Sequence, residues 1–264
     1  MFAKPEFLRD FGFKATTQLV SNRTRIGPYN MHSRESTGPA GVPFVLVHGL
    51  VISSLYMIPL AESLAEHGSV IAVDLPGFGR TKPAPETLDI PELASVLIEW
   101  LEVRGIERCH LVANSLGCQI AAHVAVRAPE RVQTLTLIGA TIDPAAHSVV
   151  RQAWELVCDA WREPMRLWMN WVVDFVRAGL WRTLKTTRRM FADYIERQLP
   201  QITAPTLIIR GEHDPTMPER WGAEAARLVP SGRVVTIRGH SHCVHYTCAA
   251  EVSRLVREHA STFP

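Results

Sequence analysis

At 264 residues the chain is long enough for one large core, alone or with an insertion. Its 47% hydrophobic and 20% charged residues exclude a disordered or fibrous protein. The 28 basic and 26 acidic residues leave a net charge of only +2, which supplies no overall field for nucleic acid or anionic lipid, so neither nucleic acid nor membrane is expected as a partner.

The N-terminal run MFAKPEFLRDFGFKATT places Glu6 and Asp10 where a signal peptide would have its apolar core. The chain is therefore expected to start here and stay in the cytoplasm. Phe2, Phe7, Phe11 and Phe13 make this arm aromatic; packing on other helices, covering a partner subunit in a homodimer and plugging the core all remain open for it. The most apolar window, Val42 to Ala61, is broken by His48, Gly49, Ser53, Ser54 and Pro59, and reads as a buried strand entering a loop rather than a membrane span.

From there, short β-rich runs recur: VPFVLVHG, GSVIAVDLPG, CHLVANSLG, VQTLTLIGA, APTLIIRGEHD and GRVVTIRG. Each is continuously apolar, as strands buried on both faces of a parallel sheet are. Amphipathic segments of helical length, such as Ile90 to Arg104 and Leu116 to Arg127, lie between most of them. The alternation predicts an α/β fold with right-handed crossovers.

One interval, from about Pro144 to Leu199, holds no strand candidate and five of the seven tryptophans (154, 161, 168, 171 and 181). Val150, Trp154, Val157, Trp161, Met165 and Trp168 step by three and four along one helix face, with Pro164 expected to end or kink the helix. The stripe is packing, the underside of a lid over an apolar pocket, or both. Trp154, Trp161 and Trp168 are thus candidate substrate-binding residues. RTLKTTRR, Arg182 to Arg189, is locally basic and reads as a solvated helix face.

Chemistry concentrates at the strand ends. LVANSLGCQIAAHVA runs from a strand through Ser115 into an alanine-rich helix, with Ala113 and Gly117 two residues to either side. A serine in so tight a strand-to-helix turn needs small neighbours, and the helix amides behind it point at a reacting oxygen. An N-cap serine would look similar in isolation. Earlier strands end in His48-Gly49 and in Asp74-Leu-Pro-Gly-Phe-Gly79, and later ones in GEHD and RGHSHCVHY.

In this order the motifs resemble the α/β-hydrolase superfamily, from about Val42 to the C-terminus. The resemblance implies a mostly parallel sheet of about eight strands with flanking helices, a core of residues 1–143 and 200–264, and an all-helical cap of residues 144–199 inserted after the sixth strand. It assigns Ser115 as nucleophile, Asp214 as the acid of a triad, and the backbone N–H groups of Leu50 and Leu116 to an oxyanion hole. Asp143 is the alternative acid used in some relatives. Asp74 belongs to its turn; His48 braces the oxyanion loop or is a satisfied core histidine. Asn114 resembles the Asn-Ser pair of carbon–carbon bond hydrolases, which makes it a substrate-binding candidate, with Arg188 or Arg189 to grip a carboxylate. That group usually has Trp after the catalytic histidine, where this chain has Cys243.

RGHSHCVHY offers three histidines. Choosing His240 as base satisfies a Gly-His dipeptide but puts Thr247 and Ala250 at the start of the following helix. Choosing His242 places Ala249 at the proline and Glu251-Val252 at the acidic-apolar pair with which relatives usually open that helix, and leaves the spacing Ile237-x-Gly239-x-x-His242, so the resemblance implies His242 as the base. His245 is left without a role, and Cys243 is an oxidation liability rather than a nucleophile. Five cysteines with no CxxC pair indicate reduced thiols, and no second ligand cluster completes a zinc site, so no metal or cofactor is expected. The expected activity is hydrolysis of a small apolar or aromatic ester, lactone or thioester through an acyl-enzyme. The alternatives are carbon–carbon cleavage of a ring-cleavage-type diketone acid, and a ligand receptor or cofactor-free lyase on the same fold.

Overall fold

The computed structural model describes residues 19–83, 86–148, 154 and 163–263. Eight strands form one sheet: β1 (Val20–Ile26), β2 (Tyr29–Ser36), β3 (Phe44–Val47), β4 (Val70–Val73), β5 (Cys109–Asn114), β6 (Val132–Ile138), β7 (Thr206–Gly211) and β8 (Gly232–Ile237). Their spatial order is β1-β2-β4-β3-β5-β6-β7-β8; the last six are parallel, and β1 and β2 are an antiparallel addition at one edge. That hairpin is absent from the continuous apolar runs because it is polar and largely exposed at β1. Edge strands carry water on one side and need no such run. The opposite edge, β8, is likewise half-exposed, Arg233 and Val234 included.

Inner strands alternate between two cores. In β3, Val45 and Val47 pack with α2 (Ile90–Val103), α3 (Leu116–Arg127) and α6 (Glu219–Leu228). Phe44 and Leu46 pack on the other face with α1 (Ile58–Ala65) and α7 (Ala249–Thr262). A period of two with both sets apolar is what burial on both faces requires. Between β6 and β7 the described residues contain only helical elements, chiefly α4 (Met165–Ala178) and α5 (Leu180–Ala192). The expected helix through Val150, Val157 and Trp161 lies mostly outside the described residues; α4 begins directly after Pro164, which occupies its N-cap.

The parallel strands deliver the loops His48–Leu50, Asp74–Gly79, Asn114–Ser115, Gly139 and Asp214 to one end of the sheet, together with the segment after β8 that carries His242. Ligands of open α/β sheets bind at this carboxyl edge.

Candidate active site

Ser115 stands between β5 and α3 at φ 55 and ψ −123. This is a left-handed conformation that costs a non-glycine residue about 1–3 kcal/mol. Its side chain makes no capping bond to the helix, so it is not the ordinary N-cap. The turn is clamped from behind: the Ser115 amide donates to the Ile138 carbonyl at 2.9 Å. Gly117 is obligatory for the same turn, because a Cβ there would lie 2.6 Å from the His48 carbonyl oxygen and 2.7 Å from that of Val47. Leu116 opens α3, where an amide has no intrahelical acceptor. The Leu50 amide makes no hydrogen bond among the described residues. Val51, at φ 58, is the other strained non-glycine residue among those described, and it follows Leu50 directly.

His242, 5% exposed, directs Nδ1 to Asp214 Oδ2 at 2.9 Å and to Thr216 Oγ1 at 3.0 Å. Thr216 Oγ1 itself donates to Asp214 Oδ1 at 2.8 Å, so toward the imidazole it accepts. Both contacts therefore call for a proton on Nδ1, which leaves the lone pair on Nε2. Asp214 is buried; that alone would raise its carboxyl, but the His242 charge and the bonds from His242 and Thr216 bring it below the usual range. The amides of Thr216 and Met217 also donate to Oδ1, at 2.9 and 3.2 Å. The sequence reading omits Thr216, although an Asp followed two residues on by a hydroxyl is a turn signal.

The loop after β3, His48 to Leu50, is braced from both sides. His48 Nδ1 donates to its neighbour's carbonyl, Gly49 O, at 2.8 Å, while Nε2 accepts from the Leu75 amide at 3.1 Å. Burial lowers its pKa, in keeping with a neutral ring that both donates and accepts. Asp74 takes the Ser54 amide at 2.7 Å, the Arg80 amide at 2.9 Å and His32 Nδ1 at 2.7 Å. It is a structural hub. From the other side, the buried Tyr56 hydroxyl accepts from the Gly49 amide at 3.0 Å and donates to Asn114 Oδ1. Tyr56 thus ties the loop after β3 to the residue before Ser115, a link that no sequence motif signals.

Several sequence expectations are corrected. Asn114 is 1% exposed, its oxygen held by Tyr56 and its Nδ2 donating to the Ile138 carbonyl at 3.1 Å. Its amide is consumed by the scaffold and does not face a substrate. Trp154 is 68% exposed and Trp168 38% exposed, so neither lines a buried pocket; Trp161 lies outside the described residues. Arg188 and Arg189 are exposed on α5. Asp143 is paired bidentately with Arg220 and caps Ala145, leaving Asp214 as the carboxylate on His242. His245, far from being an idle neighbour, is fully buried against the Tyr56 ring, with centroids 4.5 Å apart. Burial and the nearby His242 hold it neutral, its pKa pushed down to about 3. Among the described residues no group of three or more His, Cys, Asp or Glu side chains is placed to hold a metal ion.

Comparison with known proteins adds independent findings. Residues 44–255 match the alpha/beta hydrolase family. The chain is 26% identical over 258 residues to the RutD protein of Stutzerimonas stutzeri (strain A1501), whose name proposes carbamate hydrolysis, covering 88% of this chain and 95% of that one. It is 28% identical over 273 residues to a 2-hydroxy-6-oxononadienedioate/2-hydroxy-6-oxononatrienedioate hydrolase of Cupriavidus pinatubonensis (strain JMP 134 / LMG 1197), covering 91% and 94% of the two chains. Among solved structures, a thermophilic esterase from Thermogutta terrifontis superposes with a TM-score of 0.75 at 22% identity, over 93% of this chain and 99% of that one.

Proposed function

Because the chain belongs to the α/β-hydrolase family, we propose that it is a serine hydrolase cleaving a small apolar or aromatic ester, lactone or thioester through an acyl-enzyme on Ser115. The observation that carries this reading is the His242–Asp214 pair, with Nδ1 protonated, set on the same sheet edge as a strained serine at a helix N-terminus. His242 Nε2 removes the Ser115 proton as Oγ attacks the carbonyl, and Asp214 steadies the imidazolium that forms. The tetrahedral oxyanion is held by the amides of Leu50 and Leu116, which are worth about 2.7–4 kcal/mol each where such donors have been removed. The imidazolium then protonates the leaving group. A water activated by the same His242 releases the acid and restores Ser115. The helices inserted between β6 and β7 meet this edge at Ser53, whose hydroxyl donates to Asp174 of α4 at 2.5 Å.

Carbon–carbon cleavage is supported by the named Cupriavidus relative. Against it, Asn114 is turned to Tyr56 and Ile138, and Arg188 and Arg189 face solvent. The test is fluorophosphonate labelling of Ser115 alongside a panel of aryl esters, lactones, thioesters and a vinylogous diketone acid, with Ser115→Ala as blank. Labelling and ester turnover lost together in the variant support the proposal. No labelling, with tight binding of unmodified ligand, refutes it in favour of a receptor.

A further inference from the structure

Helix α4 is amphipathic in the opposite sense to a helix packed on a core. Its buried side chains are Leu167, Asn170 and Asp174, and Asp174 accepts from the Ser53 hydroxyl, just beyond the oxyanion loop, at 2.5 Å. At about 100° per residue, Met165, Trp168, Met169, Val172 and Val176 fall on the other side. All five are exposed, Met165 at 79% and Val176 at 67%. The Ser53–Asp174 bond fixes the inward face, so this apolar stripe points away from the catalytic floor and does not wall the site. Past Gly179, α5 exposes Leu180, Trp181 and Leu184, and then Lys185, Arg188 and Arg189. A contiguous apolar stripe of this kind on a soluble protein marks a contact surface.

Charge selects the partner. Residues 165–192 carry six basic residues and one acid; Arg177 pairs with the buried Asp174 at 3.4 Å and Arg182 lies against Gly77, which leaves Arg166, Lys185, Arg188 and Arg189 exposed. A second copy seated here by a twofold axis would bring the same cations together, with no exposed carboxylate on either helix to pair them. An anionic lipid surface satisfies both features: indole rings favour the boundary between water and hydrocarbon, and flanking Lys and Arg take acidic headgroups. The chain's small net charge averages this local bias away. We propose that the outer face of α4 and α5 docks onto an anionic lipid surface, lying in the interface plane. No helix among the described residues is long and apolar enough to cross a membrane.

The test is co-sedimentation of the full chain with phosphatidylcholine vesicles containing phosphatidylglycerol and with phosphatidylcholine alone, reading bound fraction and Trp emission, with sedimentation velocity on the free protein. Binding to the anionic vesicles with a blue shift, lost at high salt, is expected. Val172→Glu with Val176→Glu should weaken partition at least about tenfold while leaving turnover of a soluble ester unchanged. Should that double variant not fold, the salt and headgroup dependence of the native chain decides alone. Equal binding to both vesicle types, or none, overturns the proposal. No binding with a dimer that the double variant disperses assigns the face to a second copy. No binding with a monomer destabilised by the double variant assigns it to cover by this chain's own residues 1–18 or 149–162.

Discussion

Gly139→Ala should separate stability from chemistry. Gly139 follows β6 at φ +56, and a Cβ there would lie 2.9 Å from both Nδ1 and Cε1 of His242 and 3.1 Å from Asp214 Oδ2. The backbone has little room to retreat. The Gly139 amide donates to Ile209 at 2.9 Å, and the Ala140 carbonyl is held by Trp221 Nε1 at 2.9 Å. Non-bonded carbon contacts settle near 3.5–4.0 Å, so the imidazole must move by roughly 0.5–1 Å. A displacement of that size costs about 10²-fold in rate, near 2.7 kcal/mol of activation free energy. The left-handed backbone adds about 1–2 kcal/mol of lost stability, a fall of roughly 2–8 °C in Tm. Gly105→Ala is the control: φ is +64, but nothing lies within 4 Å of its Cβ. It should lose similar stability and keep its kcat. Aryl-ester kinetics and thermal melts on both variants decide the matter. A Gly139→Ala enzyme with kcat within twofold of Gly105→Ala would refute the placement of His242 and Asp214 as a working pair.

His242→Ala should lower kcat by about 10²–10⁴-fold or more, whereas His240→Ala, which loses one bond to Thr247 at 3.0 Å, should stay within about fivefold; the reverse ranking in ester assays would move the base to His240. Tyr56→Phe strands the buried Gly49 amide and Asn114 oxygen at about 1–3 kcal/mol each. A lower Tm and a lower kcat at nearly constant KM are expected, and an unchanged melt and kcat would count against the tie. Burial raises the Asp174 carboxyl to about 6, so its favourable contribution is full below about 4 and is lost as pH rises through about 6. The Tm of Asp174→Asn relative to the native chain should therefore climb between about pH 4 and 7, by up to about 3 kcal/mol in stability terms; a difference independent of pH would contradict this.

What the sequence made legible were features written in short, contiguous residues. Continuously apolar runs marked the inner strands because burial on both faces leaves no alternative composition. Ser115 was visible because its turn demands small neighbours, and Asp214 only through the resemblance of the G-x-x-D that follows a buried strand. The β1–β2 hairpin was less visible, since an edge strand half in water has a weak pattern. Tyr56, Thr216 and Gly139 were invisible for a different reason. Each acts through contacts formed when distant strand ends converge: Tyr56 with Asn114, Thr216 with His242, and Gly139 with both His242 and Asp214. Asn114, Trp154 and Trp168 misled because adjacency to Ser115, or aromatic spacing on a helix, says nothing about which way a side chain turns.

The three histidines of RGHSHCVHY show how partners rather than composition assign chemistry. His240 bonds the Thr247 hydroxyl. His245 has no hydrogen-bond partner on either nitrogen among the described residues and is fully buried against Tyr56, where a proton would be costly. Only His242 meets a buried carboxylate, itself held by a hydroxyl and two amides. That carboxylate sets the tautomer and makes a charged ring tolerable, as the proposed role of general base requires. In the proposed mechanism His245 contributes by remaining uncharged: a cation there would oppose the imidazolium proposed for His242 and would lie against Tyr56, which braces the loop after β3. Replacing His245 with a residue that ionises should thus harm turnover more than an apolar residue of similar size. Kinetics of His245→Lys and His245→Leu would show the two equal if its neutrality were irrelevant.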